Sequence, residues 1–392
     1  MIRRIAEKAL FQLAATYKAV AVVGPRQSGK TTLVKHLFPE KQYANLENPD
    51  MRRFASEDPR GFLAQFPNGA ILDEIQRIPE IFSYLQQILD ESKQTGLFIL
   101  TGSNNFLLQE NISQSLAGRI AYLNLMPFEY REIANLEHGD LKNMLHKGCY
   151  PPLYDQPFEA SNWYTNYIRT YVERDVRQIK NISDLNIFDR FLHLCAGRTG
   201  QLLNMSNLAI ETGVDQKTIN SWLGILENSY ILFKLQPHHA NYNKRIVKMP
   251  KLYFYDSGLA CALLGIREAD QLSFHPLYGA LFENFVIAEM MKIRFNCLHD
   301  NNLYFWRDSR GHEIDLIVDN AGSLFPIEIK SGSTITSDFF KNLSYWQSIS
   351  GISKGSIIYN GESRQVRSTG IEVLPWQEIA LSQANEGLRD DR

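Results

Sequence analysis

Short, wholly apolar runs alternate with longer amphipathic stretches over the first hundred residues. Ile2 to Thr16 sets Ile5, Ala9, Leu10 and Leu13 at helical spacing and predicts a helix covering a sheet edge. Ala19 to Val23 is an unbroken apolar run, as in a strand buried on both faces. Similar runs follow at Gly69 to Leu72 and Leu97 to Thr101, with a shorter strand at Gln42 to Leu46. Helical patterns separate them, at Thr32 to Leu37 and in the charged stretch Asp50 to Phe66. Strand and helix in turn predict a parallel α/β sheet with helices on both faces.

The pattern changes after Gly148-Cys149-Tyr150, where Pro151-Pro152 break regular structure. Trp163 to Ile179 reads as a long helix with the charge run Glu173, Arg174, Asp175, Val176 and Arg177. That run is either a solvated face or a relay to the next domain. Ser206 to Val214 and Asp215 to Leu223 have the form of a helix-turn-helix, with Ser206 and Asp215 as caps and Gly213 at the turn. Leu226 to Leu235 reads partly as a strand, and Lys244, Arg245, Lys248 and Lys251 as a basic, hairpin-like wing. Gly279 to Lys292 is an apolar helix, followed by strands at Leu303 to Arg307, Glu313 to Val318 and Phe325 to Lys330. Leu381 to Arg392 is polar and expected to fray. The expected units are 1–150, 151–265, 266–380 and a tail, 381–392.

The first chemistry lies between the apolar run and the first amphipathic helix. Gly24-Pro25-Arg26-Gln27-Ser28-Gly29-Lys30-Thr31-Thr32 is a G-x-x-x-x-G-K-T loop in strand–helix context. Backbone N–H groups and the positive end of a helix dipole suit the phosphates of ATP. Lys30 is expected to reach the β and γ phosphates, and the Thr31 hydroxyl to hold Mg²⁺. Forty residues on, the strand ends in Asp73-Glu74. Asp73 is expected in the Mg²⁺ shell, and Glu74 to polarise the attacking water. Ser103, with Asn104 behind it, follows the next strand as a γ-phosphate sensor or a helix N-cap. Arg119, in Ser115-Leu116-Ala117-Gly118-Arg119, reads as an arginine finger acting in its own or a neighbouring subunit, or as a surface arginine.

A second constellation lies near the other end of the chain. Glu328 and Lys330, two apart on a strand, face one side. Asp315 on the preceding strand can join Glu328 around a divalent metal, with Lys330 acting on water and Glu283 contributing from the helix. Helix Glu, strand Asp, strand Glu-x-Lys is the order used by metal-dependent nucleases of the restriction-endonuclease type. An amphipathic strand pair is the plainer alternative, and His312 reads as structural.

Composition limits the readings further. Hydrophobic residues make up 44% and charged residues 21% of 392, as in a soluble globular protein of more than one domain. A net charge of −2 confines nucleic-acid contact to a local patch. Cys149, Cys195, Cys261 and Cys297 show no metal or disulfide spacing. Arg3 and Arg4 start the chain, but Glu7, Lys8 and Lys18 interrupt any signal-like apolar run, so a cytoplasmic protein without a membrane span is expected.

The chain resembles a widespread bacterial and archaeal family of AAA-superfamily ATPases that join an N-terminal AAA module to an uncharacterised C-terminal domain. The matching strings are Gly24 to Thr32, Ile71 to Gln76, Leu100 to Ser103, Ser115 to Arg119, Tyr171 to Val176, Tyr255 to Leu259, Phe282 to Phe285, Glu313 to Ile317 and Ile327 to Ser331. The resemblance implies a P-loop ATPase of the additional-strand, catalytic-glutamate class, then a winged-helix segment and a restriction-endonuclease-like domain. The expectation is an ATP- and Mg²⁺-dependent hydrolase acting on nucleic acid, DNA first. The alternative is a nucleotide switch for a protein partner with a non-cleaving C-terminal domain. AAA modules often form rings, so a homo-oligomer is among the expectations.

Overall fold

The computed structural model describes residues 1–102, 116–136, 140–172, 185–239 and 247–385. Ser103, Asn104, Ser115, the charge run Glu173 to Arg177, Lys244, Arg245 and the end of the tail from residue 386 lie outside the described residues.

The N-terminal unit is built on five parallel strands in the order β2-β3-β4-β1-β5. They are β1 (Ala19–Val23), β2 (Gln42–Asn45), β3 (Ala70–Asp73), β4 (Phe98–Gly102) and β5 (Ile120–Asn124). All five residues of β1 are buried because it lies inside a sheet covered on both faces. Ala19, Ala21 and Val23 pack on one face with Leu72, Phe98 and Leu100. Val20 and Val22 pack on the other with Leu10, Leu33 and Val34. Full burial stabilises each β1 valine by roughly 1.5–3 kcal/mol over exposure. Helix α1 (Ala6–Thr16) differs from its expected place at a sheet edge. Its buried stripe Ala6, Ala9, Leu10 and Ala14 packs on the second face, across β1 and β5.

The helix-turn-helix is present as Met205–Thr212 and Gln216–Asn228, joined through Gly213 at φ +77. Asp215 caps the second helix by accepting from the Thr218 N–H at 2.7 Å. Ser206 does not cap the first. Asn204 does, accepting from Asn207, while the Ser206 hydroxyl accepts from Gln216 Nε2 at 2.6 Å.

The following strands, β6 (Leu232–Pro237) and β7 (Lys251–Phe254), pair antiparallel. β6 pairs in parallel with β8 (Leu303–Arg307), so both strands join an eight-stranded sheet that crosses the expected 265/266 boundary. The others are β9 (Glu313–Asn320), β10 (Ser323–Lys330), β11 (Gly355–Tyr359), β12 (Gln365–Val366) and β13 (Ile371–Pro375), in the order β12-β13-β11-β10-β9-β8-β6-β7. Lys251 is consequently no wing cation: it is 2% exposed and paired with Glu283 and Glu313.

The helix Tyr278–Asn296 lies between the two sheets and is buried on nearly every face. Charges in such a place need partners. Glu289 accepts from Lys292 Nζ and from the Tyr130 N–H, both at 2.7 Å, and Lys292 also donates to the Phe128 carbonyl at 2.9 Å. The expected fraying does not begin at Leu381: Ser382, Ala384 and Asn385 are buried, and Ser382 donates to Glu372. Cys149, Cys195 and Cys261 are buried free thiols, all pushed up by burial. Among the described residues no helix is long and apolar enough to cross a membrane.

Candidate functional site

The loop after β1 has a backbone that most residues cannot adopt. Gly24 has φ +153, and a Cβ there would lie 2.1 Å from the Leu125 carbonyl oxygen. Gly29, at φ +91, forms the N-cap of helix α2 (Lys30–Leu37), leaving the first-turn N–H groups at the loop. Lys30 is 6% exposed, and its ammonium donates to the carbonyls of Gly24 at 3.0 Å and Pro25 at 2.7 Å.

Sheet order brings the remaining parts to this loop. β3 and β4 end level with β1, so Asp73 arrives beside α2. Its carboxylate accepts from the Thr31 hydroxyl at 2.9 Å, the Tyr43 hydroxyl at 2.6 Å and the Thr101 hydroxyl. Thr31 and Asp73, the expected Mg²⁺ ligands, are therefore neighbours, and their hard oxygens fit that cation. Burial, and then the Asp73 carboxylate, hold the Tyr43 hydroxyl above its usual range. Glu74 follows with φ +55, an uncommon backbone for glutamate, and accepts from Gln76 Nε2 at 2.5 Å. A cleft of about 420 Å³ opens over the loop, lined by Arg26, Lys30, Thr31, Glu74, Pro151 and Asp155 among others. Its volume is in the range of small-molecule sites.

Sequence reasoning missed Tyr43 and Thr101 as site residues. Both were legible as strand residues, but the neighbour order of β2, β3 and β4 leaves no local mark in the chain. It also missed Tyr167, whose hydroxyl donates to the Arg26 carbonyl at 3.3 Å. Its helix runs over Ala160–Tyr167 and continues as a π turn over Ile168–Val172.

Arg119 is not brought to this site. It precedes β5 at the end of the sheet away from the loop, where its carbonyl accepts from the Ala19 N–H. A five-residue strand separates the two ends by roughly 16 Å. Its guanidinium pairs with Asp90, with one contact at 3.0 Å.

The second constellation does converge. Asp315 on β9 and Glu328 and Lys330 on β10 meet, with Lys330 Nζ paired to Glu328 and 3.6 Å from Asp315 Oδ2. Asp315 is held by the Ile329 N–H at 2.8 Å. Glu283 stands nearby, accepting from Lys251 Nζ at 3.0 Å and from the Tyr253 hydroxyl at 2.5 Å. Burial, and then Asp315, push the Glu328 carboxyl up to about 8. Burial pushes Glu283 up to about 7, Lys251 opposing and Asp315 adding to the rise. Burial alone would lower Lys330, but Asp315 and Glu328 outweigh it and hold its ammonium above the usual range. Glu328 Oε1 is buried with no hydrogen-bond partner among the described residues, which fits an oxygen awaiting a cation. Among the same residues no group of three or more His, Cys, Asp or Glu is arranged around one metal position. His312 stacks on Tyr345 and bonds Asp308, in keeping with a structural part.

A pH dependence follows from Glu328. The group ionises near 4.5 in an unfolded chain and near 8 in the folded one. Its contribution is full below the lower value and is lost as pH rises through the higher. The metal-free protein is expected to melt at a lower temperature at pH 8 than at pH 6, and Glu328→Gln to flatten the difference. Equal pH dependence of the two melting temperatures would exclude Glu328 as its source.

The profile of an AAA domain matches residues 16–134, which hold the loop, Asp73 and Glu74. The chain belongs to the AAA-superfamily ATPases. Two domains of unknown function match further along this ATPase, one (DUF8612) over residues 138–270 and one (DUF4143) over 278–379. An uncharacterized protein of Mycobacterium tuberculosis, Rv2008c, is 32% identical over 368 residues, covering 92% of this chain and 80% of that one. An uncharacterized protein of Methanocaldococcus jannaschii, MJ1544, is 22% identical over 334 residues, covering 77% and 72%. Among solved structures, the Walker-type ATPase PABY2304 of Pyrococcus abyssi aligns at a TM-score of 0.45 and 15% identity, over 67% of this chain and 96% of that one.

Proposed function

We propose that Mg-ATP turnover at Lys30, Thr31, Asp73 and Glu74 controls a C-terminal half that cleaves nucleic acid, DNA first. In this reading the loop from Gly24 to Thr32 cradles the phosphates, Lys30 neutralises charge developing on them, and Glu74 orients water. A divalent ion would be held by Asp315 and Glu328, with Lys330 and Glu283 placing water against a phosphodiester. The observation that carries the reading is the meeting of Asp315, Glu328 and Lys330 in one half-buried cluster beside Glu283. Surface ion pairs seldom bury a carboxylate oxygen unsatisfied, as Glu328 does.

The test is ATPase activity with and without single-stranded, duplex and branched DNA, and RNA, in Mg²⁺ and then Mn²⁺, with the nucleic acid run on a gel afterwards. Cleavage is expected, and Asp315→Ala is expected to lower it at least tenfold while basal ATP turnover persists. Cleavage that survives Asp315→Ala would sink the assignment of the C-terminal site.

A second reading has its own support. Lys251 is withdrawn into the protein, and Ile210, on the first helix of the helix-turn-helix, is 80% exposed. An exposed apolar side chain there suits a protein partner better than DNA. ATP turnover unaffected by every nucleic acid, together with saturable binding of one protein partner that Ile210→Asp abolishes, would favour this switch.

A further inference from the structure

We propose that Arg4 is a positioning residue for ATP binding: it holds the Ser28–Gly29 peptide in the orientation that turns the Gly29 N–H to the phosphates. Arg3 and Arg4 look alike in sequence, yet Arg3 has a 90% exposed side chain and Arg4 is 6% exposed. Three nitrogens of Arg4 are anchored separately. Nη1 donates to the Ser28 carbonyl at 2.8 Å, Nη2 to the Met126 carbonyl at 2.7 Å, and Nε to the two Glu132 oxygens at 3.1 and 3.2 Å. The guanidinium also lies over the Phe128 ring, 4.9 Å from its centroid.

Glu132 is itself immobilised. Its side chain is fully buried, and it accepts from the backbone N–H of Ile5 at 2.6 Å and of Glu129 at 2.9 Å. A planar fork held at three points fixes direction as well as distance.

The peptide geometry supplies the consequence. Across a trans peptide the carbonyl and the next N–H point in opposite directions. With the Ser28 oxygen drawn to Arg4, the Gly29 N–H is directed away from it, to the side where Lys30 and Thr31 line the cleft. A flipped peptide would present a carbonyl oxygen to a triphosphate, replacing an attraction by a repulsion. Gly29 is the residue most able to flip, since its positive φ costs it nothing. The loop therefore needs an external restraint there, and Arg4 supplies one. The strut is tied to the other half of the protein as well, since the segment 128–130 also receives Lys292 and Glu289.

The proposal rests on the loop being the phosphate site. The experiment measures binding of Mg-ATP and of inorganic tripolyphosphate, which has no base or sugar, to the full chain by titration calorimetry. Arg4→Met is expected to weaken both by about tenfold or more and to similar extents. Glu132→Gln is expected to weaken both by a smaller common factor, and Arg4→Lys to recover part of the loss. Far-ultraviolet circular dichroism checks folding, and if Arg4→Met does not fold, Glu132→Gln decides by the same comparison. Loss of ATP binding with tripolyphosphate binding intact would place Arg4 on the base side and overturn the proposal. So would a lowered melting temperature with both Kd values unchanged. A wild-type chain that binds neither ligand would refute the phosphate loop itself, and Arg4's role with it.

Discussion

Lys30→Ala is expected to lower ATP turnover by roughly a hundred- to a thousandfold, the usual cost of removing one preorganised charge from a phosphoryl-transfer site. The ammonium is already on station, held by the Gly24 and Pro25 carbonyls of its own loop. Little reorganisation is then needed before it meets a phosphate oxygen, so its loss falls mainly on the transition state. Steady-state hydrolysis at saturating Mg-ATP measures the effect. Turnover within tenfold of wild type would mean that the loop is not where ATP is hydrolysed. Alanine also removes the ammonium donor from the Gly24 and Pro25 carbonyls, so circular dichroism and a melting curve belong to the same experiment.

Lys292→Met is expected to destabilise the protein by about 3–5 kcal/mol, because it strands a buried carboxylate. Glu289 and Lys292 have side chains 1% and 2% exposed, at the junction of the ATPase sheet and the C-terminal half. Burial raises the Glu289 carboxyl and, taken alone, would lower the Lys292 ammonium, which Glu289 instead holds above its usual range. Removing the cation leaves Glu289 with the Tyr130 N–H, and the Phe128 carbonyl loses its donor. Replacing both partners, Glu289→Met with Lys292→Met, is expected to restore much of the loss, since an apolar pair of similar volume needs no solvation. Denaturation midpoints of the two variants measure this. A single variant as stable as wild type would show that the pair contributes nothing at the junction.

The two predictions rest on residues of different legibility. Lys30 stands inside a motif whose spacing is itself the mechanism, so its place was readable from nine consecutive letters. Glu289 was visible only as an acid on an apolar helix, without a hint that its partners are one turn away and 159 positions earlier. The acids Asp315 and Glu328 fell between these cases. Strand alternation put Glu328 and Lys330 on one side, but only the β9–β10 pairing brought Asp315 to them.

Two departures have one cause. Lys251, expected as a wing cation, is an internal cation shared by Glu283 and Glu313. The tail expected to fray from Leu381 has Ser382 and Asn385 buried against Glu372 and Arg294. In each instance a polar residue was read by its own character, whereas its position is set by which strand its neighbours join.

By itself, the sequence determined the elements that depend on neighbours within a few positions: the apolar parallel strands, the glycine-shaped phosphate loop with Lys30 and Thr31, the acid-ended strand at Asp73-Glu74, and the helix-turn-helix around Gly213. Tertiary structure alone decided which strand ends stand together, and so put Tyr43 and Thr101 on Asp73, Arg4 on the Ser28 carbonyl, and Lys251 on Glu283. The physical reason is range. Backbone conformation and side-chain periodicity are set by local sterics and burial pattern, whereas strand order and buried charge pairing are settled by packing among residues well separated in the chain, 24 to 32 positions apart in these four pairs.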